Sequence, residues 1–180
     1  VSAVSGLGTI FVSKKYKHLL VRKLLYYLYK FSFNHFNQKV IFQNKYDFEL
    51  LVKWGVLDSS KAKLIKGSGV NLENFTKLEE PRGTPVICFA ARLLKDKGIY
   101  DFVSAAKIII DRGVRARFIV AGELDNKNPT TLTFDEFNIL KKKDFVEFLG
   151  YNNDISTLYA NSNIICLPSY REGLPKSLVE

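Results

Sequence analysis

The sequence predicts an α/β fold in which helices cover parallel sheets, and two observations carry this prediction. From Val86 onward, short apolar runs alternate with segments of helical spacing, the pattern of a parallel sheet with crossover helices. In addition, 47% of the residues are hydrophobic, which is enough to build a packed core. A length of 180 residues suits one ordinary domain or pieces of two.

The first 74 residues are predicted to form the end of one α/β domain. Its elements, in chain order, are a strand at 2–4, a helix at 16–33, a strand at 39–43, a helix at 46–54 and a short strand at 63–66. Gly55 is placed to end the second helix. Residues 75–85 are polar and contain Pro81 and Pro85, so we assign them to the crossing between two domains.

Residues 86–180 are predicted to form the first half of a second domain. Four apolar runs predict its strands, at 86–90, 117–121, 146–149 and 163–167. Thr133 and Glu136 make a capping box at the start of one helix, and Asp154 caps another. Sheets of this kind bind ligands beyond the carboxyl ends of their strands. The candidate functional residues of this domain follow those ends.

The charge is concentrated at the amino end of the chain. Residues 1–46 contain eight basic residues and no acidic one, which accounts for eight of the nine net positive charges. Aromatic residues and leucines are interleaved with this charge, so residues 14–36 are predicted to contact an anionic membrane surface. Charge interrupts the segment too often for it to span a bilayer. A helix packed into its own domain with solvated lysines is the open alternative, and no nucleic-acid-binding motif accompanies the charge.

The cysteines and histidines indicate no metal site. Cys88 and Cys166 lie in apolar strand-like runs, which predicts buried free thiols in a reducing compartment. His18 and His35 have no further ligand at metal-binding spacing.

The most informative segment is SYREGLPKSLVE, residues 169–180. Glu172 and Glu180 lie either side of a Gly-Leu-Pro turn that opens a predicted helix, with Pro175 expected in its first turn. The amino terminus of a helix attracts anions, and Gly173 would let a ligand approach the backbone. Two carboxylates roughly 10 Å apart would grip hydroxyls on both sides of a diphosphate.

This segment resembles the signature of retaining glycosyltransferases of family 4, most closely those that build bacterial capsule, O-antigen or glycoprotein glycans. The resemblance continues upstream, in the family's order, through LIKGSGVN, VICFAARLLKDKGIYDFVSAAKII, FIVAGE and VEFLGY. It implies a GT-B fold of two Rossmann-like domains. The chain would hold the end of the first domain and the first half of the second, truncated at Glu180. We expect such a piece to lack turnover by itself.

The resemblance also implies roles for individual residues. Arg92 and Lys97, after the first strand of the second domain, match cations that stabilise the departing diphosphate in place of a metal. Lys95 lies between them, and the family pattern favours Lys97. Glu172 matches a residue that contacts the donor sugar near its reacting carbon. Without the terminal motif, Arg92 and Lys97 would be interpreted as solvated charges. The alternative for Glu172 is an acid in the first turn of a helix, where it favours the helix dipole.

Further residues are expected to bind the donor. Glu180 matches the residue that accepts hydrogen bonds from the ribose, and Gly173 and Leu174 would offer backbone amides. The complete set of predicted donor-binding residues is Gly69, Gly122, Tyr151, Gly173, Leu174 and Glu180. For Gly69, a tight turn is the open alternative.

The predicted function is that of a retaining glycosyltransferase. It would move a hexose from a nucleoside-diphosphate sugar, with UDP favoured, to a lipid-linked saccharide in surface polysaccharide or glycan assembly. We expect no cofactor and no metal requirement, and a cytoplasmic location on the inner face of the cytoplasmic membrane. Neither His18 nor His35 matches the family's donor-contacting histidine, so the acceptor side is unassigned. A nucleotide-sugar epimerase of GT-B fold and a non-catalytic nucleotide-binding module are the alternatives.

Overall fold

Two separate parallel sheets organise the chain, as the alternating pattern predicts. The computed structural model describes residues 1–7, 11, 16–67, 69–75 and 78–180. These divide into unit 1, which is Val1–Gly69 with Glu172–Leu174, and unit 2, which is Val70–Arg171 with Pro175–Glu180. Lys14 and Lys15 of the predicted membrane-facing segment lie outside the described residues, as do residues 76–77 of the predicted crossing.

Unit 1 contains a three-stranded parallel sheet in the order β1-β2-β3. The strands are β1 (Ser2–Val4), β2 (Val40–Phe42) and β3 (Ala62–Leu64), and the helices are α1 (Tyr16–Phe33) and α2 (Lys45–Lys53). Buried side chains from the sheet, both helices and the following loops form one core: Leu7, Phe33, Val40, Phe42, Leu51, Val56 and Leu57. The bounds predicted for β1 and α1 are confirmed, and those of the other three elements agree to within two residues.

A buried carboxylate ties the loop after β1 to the start of α2. Asn44 is the N-cap residue of α2, and its side chain accepts a hydrogen bond from the Asp47 amide at 2.8 Å. The fully buried Asp47 carboxylate in turn accepts from the Leu7 amide at 3.2 Å and from Asn44 Nδ2 at 2.9 Å. These bonds fix Leu7, three residues beyond the carboxyl end of β1.

Unit 2 contains a four-stranded parallel sheet in the order β6-β5-β4-β7. Its strands are β4 (Val86–Ala90), β5 (Arg117–Ala121), β6 (Glu147–Gly150) and β7 (Ile164–Ile165). Its helices are α3 (Ile99–Asp111), α4 (Phe134–Lys141), α5 (Ile155–Ala160) and α6 (Lys176–Val179). The capping box of Thr133 and Glu136 and the Asp154 cap are both confirmed.

Alternate residues of the central strands in unit 2 supply two cores. Phe89 and Val120 pack in a cluster with Phe102 of α3, whereas Cys88 and Ile119 pack in another with Leu158 of α5. Helices therefore cover both faces of the sheet, which is the doubly wound arrangement. Of the two free cysteines, Cys88 is buried, as predicted, whereas Cys166 is only half-buried. Burial raises the pKa of the Cys88 thiol to about 11.

Strand β7 is shorter and helix α6 begins later than the sequence predicts. β7 comprises Ile164–Ile165, not the whole apolar run 163–167, because only these two residues pair with β4. Pro175 is the N-cap residue of α6 and has extended ψ, so the helix begins at Lys176 and has only four residues. Within the described part of the chain, no helix combines the length and apolar composition needed to cross a bilayer.

Candidate active site

The order of the strands in unit 2 defines a switch point between β4 and β7. From β4 the chain adds β5 and then β6 on one side, and β7 is added on the other side. In open α/β sheets, ligands bind in the crevice beyond the carboxyl ends of the strands at such a point. The predicted Arg92 and Lys97 lie after β4, next to this point, while Gly122 follows β5 and Tyr151 follows β6.

The Arg92 side chain is exposed at this edge and is paired with an acid. Its Nη1 donates to Asp125 Oδ2 at 2.6 Å, and the Arg92 and Asp125 side chains are 59% and 25% exposed. Asp125 lies in the loop after β5, where its carboxylate also accepts from the Lys127 amide at 3.2 Å. Exposed ion pairs of this kind contribute about 0–1 kcal/mol, so an anionic ligand can displace the carboxylate.

Asp125 is the residue of this edge that sequence reasoning missed. The available signal was an acid three residues beyond Gly122, in a loop at a strand's carboxyl end. Its pairing with Arg92 joins residues 33 positions apart, so no local pattern indicated it.

Lys95 and Lys97 lie in the same short 3-10 turn. Lys95 Nζ donates to Glu136 Oε1 at 2.6 Å, and Glu136 also completes the capping box with Thr133. The Lys95 ammonium, and next the backbone hydrogen bond with Thr133, lower the pKa of Glu136 to about 2. Lys95 is therefore engaged in holding α4 against the turn. Lys97 is half-buried and remains the predicted diphosphate cation.

The loops after β4 and β7 are bonded to each other. The Asp96 carbonyl oxygen accepts from the Tyr170 amide at 3.0 Å and from Ser169 Oγ at 3.3 Å. The Pro168 backbone lies so close to Gly98 that any side chain at position 98 would collide with it. The turn that carries Lys97 is therefore fixed to the start of the SYREGLPKSLVE segment.

Position 122 can hold only a glycine, because the loops after β4 and β5 approach each other closely there. Its φ is +152°, and a Cβ at this position would collide with the Ala91 carbonyl oxygen. The Gly122 amide donates to the Gly150 carbonyl oxygen at 2.8 Å, so this amide is already engaged within the sheet edge. Tyr151, immediately beyond Gly150, is 67% exposed. Its ring is thus accessible from solvent at the end of β6.

Glu180 lies close to α5. Burial is the main cause of a raised pKa of the Tyr159 phenol, and the negative charge of Glu180 raises this pKa further. A hydrogen bond with the Ser177 side chain lowers it, by a smaller amount. Tyr159 is therefore neutral over the physiological range and presents a hydroxyl beside the carboxylate. Glu180 is half-buried at the end of α6.

The remaining predicted residues belong to unit 1. Gly69 has a φ of +73°, a left-handed backbone conformation that favours glycine and is sufficient to explain why a glycine occupies this position. The turn Glu172–Leu174 lies at the carboxyl ends of the sheet, where Leu174 packs against Gly67 beyond β3 and Gly173 lies near Gln43 beyond β2. The predicted site residues thus divide between the units: Gly69, Glu172, Gly173 and Leu174 in unit 1, and Arg92, Lys97, Gly122, Tyr151 and Glu180 in unit 2.

Comparison with known families identifies the chain. Residues 70–180 match the family described as "Glycosyl transferases group 1". This chain belongs to that family. The matched region contains Arg92, Lys97, Glu172 and Glu180, and the resemblance noted from the motifs is confirmed.

Curated relatives match over nearly the whole chain. One from Campylobacter jejuni, named N,N'-diacetylbacillosaminyl-diphospho-undecaprenol alpha-1,3-N-acetylgalactosaminyltransferase, is 32% identical over 98% of this chain and 48% of its own length. One from Escherichia coli, named UDP-Gal:alpha-D-GlcNAc-diphosphoundecaprenol alpha-1,3-galactosyltransferase, is 28% identical over 96% of this chain and 46% of its own. The chain spans about half the length of these relatives.

Solved structures confirm the fold class. Anabaena HepE, crystallised in complex with UDP-glucose, superposes with a TM-score of 0.65 over 97% of this chain and 47% of its own, at 16% identity. A glycosyltransferase from Rickettsia africae superposes with a TM-score of 0.61 over 78% of this chain and 41% of its own, at 20% identity. The chain has the α/β architecture of GT-B glycosyltransferases and corresponds to about half of their length.

Proposed function

We propose that the protein is a retaining glycosyltransferase that moves a hexose from a UDP-sugar to a lipid-linked saccharide. The observation that carries this proposal is the position of two cations, Arg92 and Lys97, beside the switch point of a group 1 glycosyl transferase sheet. The E. coli relative is named for a UDP-linked sugar donor, and both relatives are named for diphospho-undecaprenol-linked acceptors. These names support the donor and acceptor classes proposed here.

The chemistry would be governed by charge at the leaving group. The bond between the sugar's anomeric carbon and the diphosphate oxygen breaks, and Arg92 and Lys97 neutralise the charge that develops on the diphosphate. The acceptor hydroxyl attacks the face that the leaving group vacates, so the configuration is retained. Its proton passes to the departing diphosphate. This scheme requires neither a metal nor a cofactor.

Carboxylates and backbone groups would orient the donor. Glu172 would accept hydrogen bonds from hydroxyls of the sugar, and Glu180 from those of the ribose. Gly173 and Leu174 would offer backbone amides, while Gly69, Gly122 and Tyr151 would line the nucleotide side. In the pairing of Arg92 with Asp125, the diphosphate would replace the carboxylate as the partner of the guanidinium.

A lipid-linked acceptor would bring the enzyme to a membrane. The segment 14–36 would hold it on the anionic inner face of the cytoplasmic membrane by charge attraction. The concentration of positive charge in residues 1–46 supports this role.

Ligand-dependent thermal stabilisation tests the donor class. The protein is heated in the presence of UDP, GDP, ADP or NAD, beside two arginine variants. Arg92→Ala removes the proposed diphosphate ligand. Arg117→Ala is the matched control, because Arg117 is 56% exposed and pairs with Glu147 at the opposite end of β5. At a UDP concentration of about 100 Kd, we expect about 2.7 kcal/mol of stabilisation in the unaltered protein and the control, and little in Arg92→Ala.

The contrary outcomes are distinct. No stabilisation by any nucleotide would overturn the proposed donor class, and stabilisation that persists in Arg92→Ala would remove Arg92 from the diphosphate site. Product analysis of the complete protein then separates the remaining alternatives, because this chain by itself is expected to lack turnover. Extended glycan indicates a transferase, free epimerised sugar an epimerase, and binding without turnover a non-catalytic module.

A further inference from the structure

Helix α1 has an outward apolar face that is exposed over its whole length. Five large side chains on this face are each more than half exposed: Leu20, Leu24, Tyr27, Leu28 and Phe31. No element within the described ranges covers them. Helices that face water carry polar residues on their outer side, so this face lacks the composition of a solvated surface.

The outward face is separate from the face that α1 contributes to its core. Leu20, Leu24 and Phe31 recur at spacings of four and seven residues, so they share one side of the helix. Phe33, nine residues after Leu24, lies about half a turn away and is buried in the core of unit 1, with Tyr26 and Tyr29 packed beside it. The outward face is therefore not needed to hold α1 on its sheet.

The charge of α1 complements an anionic partner. The helix contains no acidic residue, and residues 1–46 contain none either. Lys23 and Lys30 are seven residues apart and lie along one flank of the outward face. An apolar face bordered by lysines is the composition of a helix that lies in the interface of a bilayer. A second copy of this chain would bring a like net charge of +9 to these lysines, which opposes its docking there.

The outward face continues into a groove at the carboxyl end of α1. The groove has a volume of about 740 Å³ and is lined by Tyr27, Lys30, Phe31, Asn34, His35 and Gly55. Lys30 Nζ lies 5.5 Å from the centre of the Tyr26 ring, which holds this cation at the side of the helix. Aromatic walls beside a cation suit a lipid, whose chain is apolar and whose headgroup phosphate is anionic.

We propose that the outward face of α1 inserts into an anionic phospholipid bilayer, with the helix parallel to the membrane plane. Leu24 and Phe31 enter the acyl region, and Lys23 and Lys30 contact lipid phosphates. The inference deepens the proposed function and rests on it, because a lipid-linked acceptor is reached from the membrane surface. Salt distinguishes apolar insertion from attraction by charge alone. Added salt screens the attraction between surface charges, so binding by charge weakens, whereas binding by inserted apolar side chains persists.

Vesicle sedimentation with matched variants tests this inference. The vesicles are phosphatidylcholine with and without phosphatidylglycerol, at low and high salt. The double variant Leu24→Ser/Phe31→Ser is compared with Ile139→Ser/Phe134→Ser, because Leu24 and Ile139 are both 61% exposed and Phe31 and Phe134 are 78% and 69% exposed. We expect the α1 variant to bind anionic vesicles at least about tenfold more weakly, at both salt concentrations, and the control to bind as the unaltered protein does.

The same samples are tested for stabilisation by UDP and for self-association. Lost vesicle binding with unchanged UDP stabilisation supports the inference. If UDP stabilises the unaltered protein but the protein does not bind vesicles, the inference is overturned and the proposed function is unaffected. A failure of UDP to stabilise any sample counts against the proposed function instead. Self-association that the α1 substitutions abolish, without vesicle binding, would assign the face to a second copy of the chain and overturn the inference.

Discussion

At the residue scale, the contrast between Lys95 and Lys97 gives a direct test of the diphosphate clamp. Lys95 is paired with Glu136 at 2.6 Å, whereas Lys97 is the proposed diphosphate cation. We expect Lys97→Ala to weaken UDP binding by about tenfold or more, because a charge-assisted contact to phosphate is lost. Lys95→Ala is expected to change UDP binding by less than about twofold and to lower the melting temperature. Calorimetric titration and thermal unfolding measure the two effects, and the reverse ranking would assign the clamp to Lys95.

Glu136 predicts a dependence of stability on pH. Lys95 and Thr133 lower its pKa from 4.5 to about 2 in the folded state. A depressed folded pKa means that the stabilisation is fully present above about pH 4.5 and is lost as the pH falls toward about 2. We therefore expect Glu136→Gln to be less stable than the unaltered protein near neutral pH, with a difference that shrinks toward about pH 2.

Chemical denaturation across this pH range measures the difference. Lys95→Met serves as the control, since removing the ammonium should raise the pKa of Glu136 and move the acid-induced loss to higher pH. A difference between Glu136→Gln and the unaltered protein that stays constant from neutral to acid pH would contradict the role assigned to this carboxylate.

At the carboxyl edge of the unit 2 sheet, interactions between residues close in sequence could be predicted, whereas pairings between distant residues could not. The capping box needs only Thr133 and Glu136, three residues apart, so the sequence indicates it directly. Two pairings, of Arg92 with Asp125 and of Lys95 with Glu136, join different loops and elements. They depend on how β4 and β5 lie side by side, which a single sequence does not specify.

At the element scale, the predicted bounds agree best with the structure where the sequence pattern is continuous along the element. α1 keeps its predicted bounds because its apolar and basic pattern is continuous from Tyr16 to Phe33. β7 is shorter than its apolar run because the length of a strand is set by its pairing, and only Ile164 and Ile165 pair with β4. The bounds of a strand therefore depend on a partner that is distant in sequence.

The terminal segment shows the same limit more clearly. The motif predicts that Glu172, Gly173 and Leu174 form one turn with the residues around them. The spacing further predicts that Glu172 and Glu180 belong to one strand–turn–helix unit. In the structure, Glu172–Leu174 pack with unit 1, whereas Arg171 and Pro175 belong to unit 2. Sequence continuity gives no indication of this division, because it arises from contacts with Gly67 and Gln43.

At the scale of the whole molecule, charge is distributed unevenly and not merely in excess. Residues 1–46 account for eight of the nine net positive charges, and the remainder of the chain is close to neutral. A uniformly basic surface would attract any polyanion through net charge. The concentration of this charge in the first 46 residues instead predicts that the position of a lysine matters as much as the total charge.

Charge reversal at two matched sets of lysines distinguishes position from total charge. The first variant replaces three amino-terminal lysines with glutamate: Lys14, Lys15 and Lys17. The second variant replaces three exposed lysines of unit 2 in the same way: Lys141, Lys142 and Lys143. Both variants change the net charge by the same amount. A lysine near an anionic bilayer contributes about 1 kcal/mol, so the first variant should lose about a hundredfold in affinity for phosphatidylglycerol vesicles at low salt. The second variant should lose much less, provided that circular dichroism reports the same helix content. Equal losses would mean that net charge governs membrane attraction and that the amino-terminal segment has no special part in it.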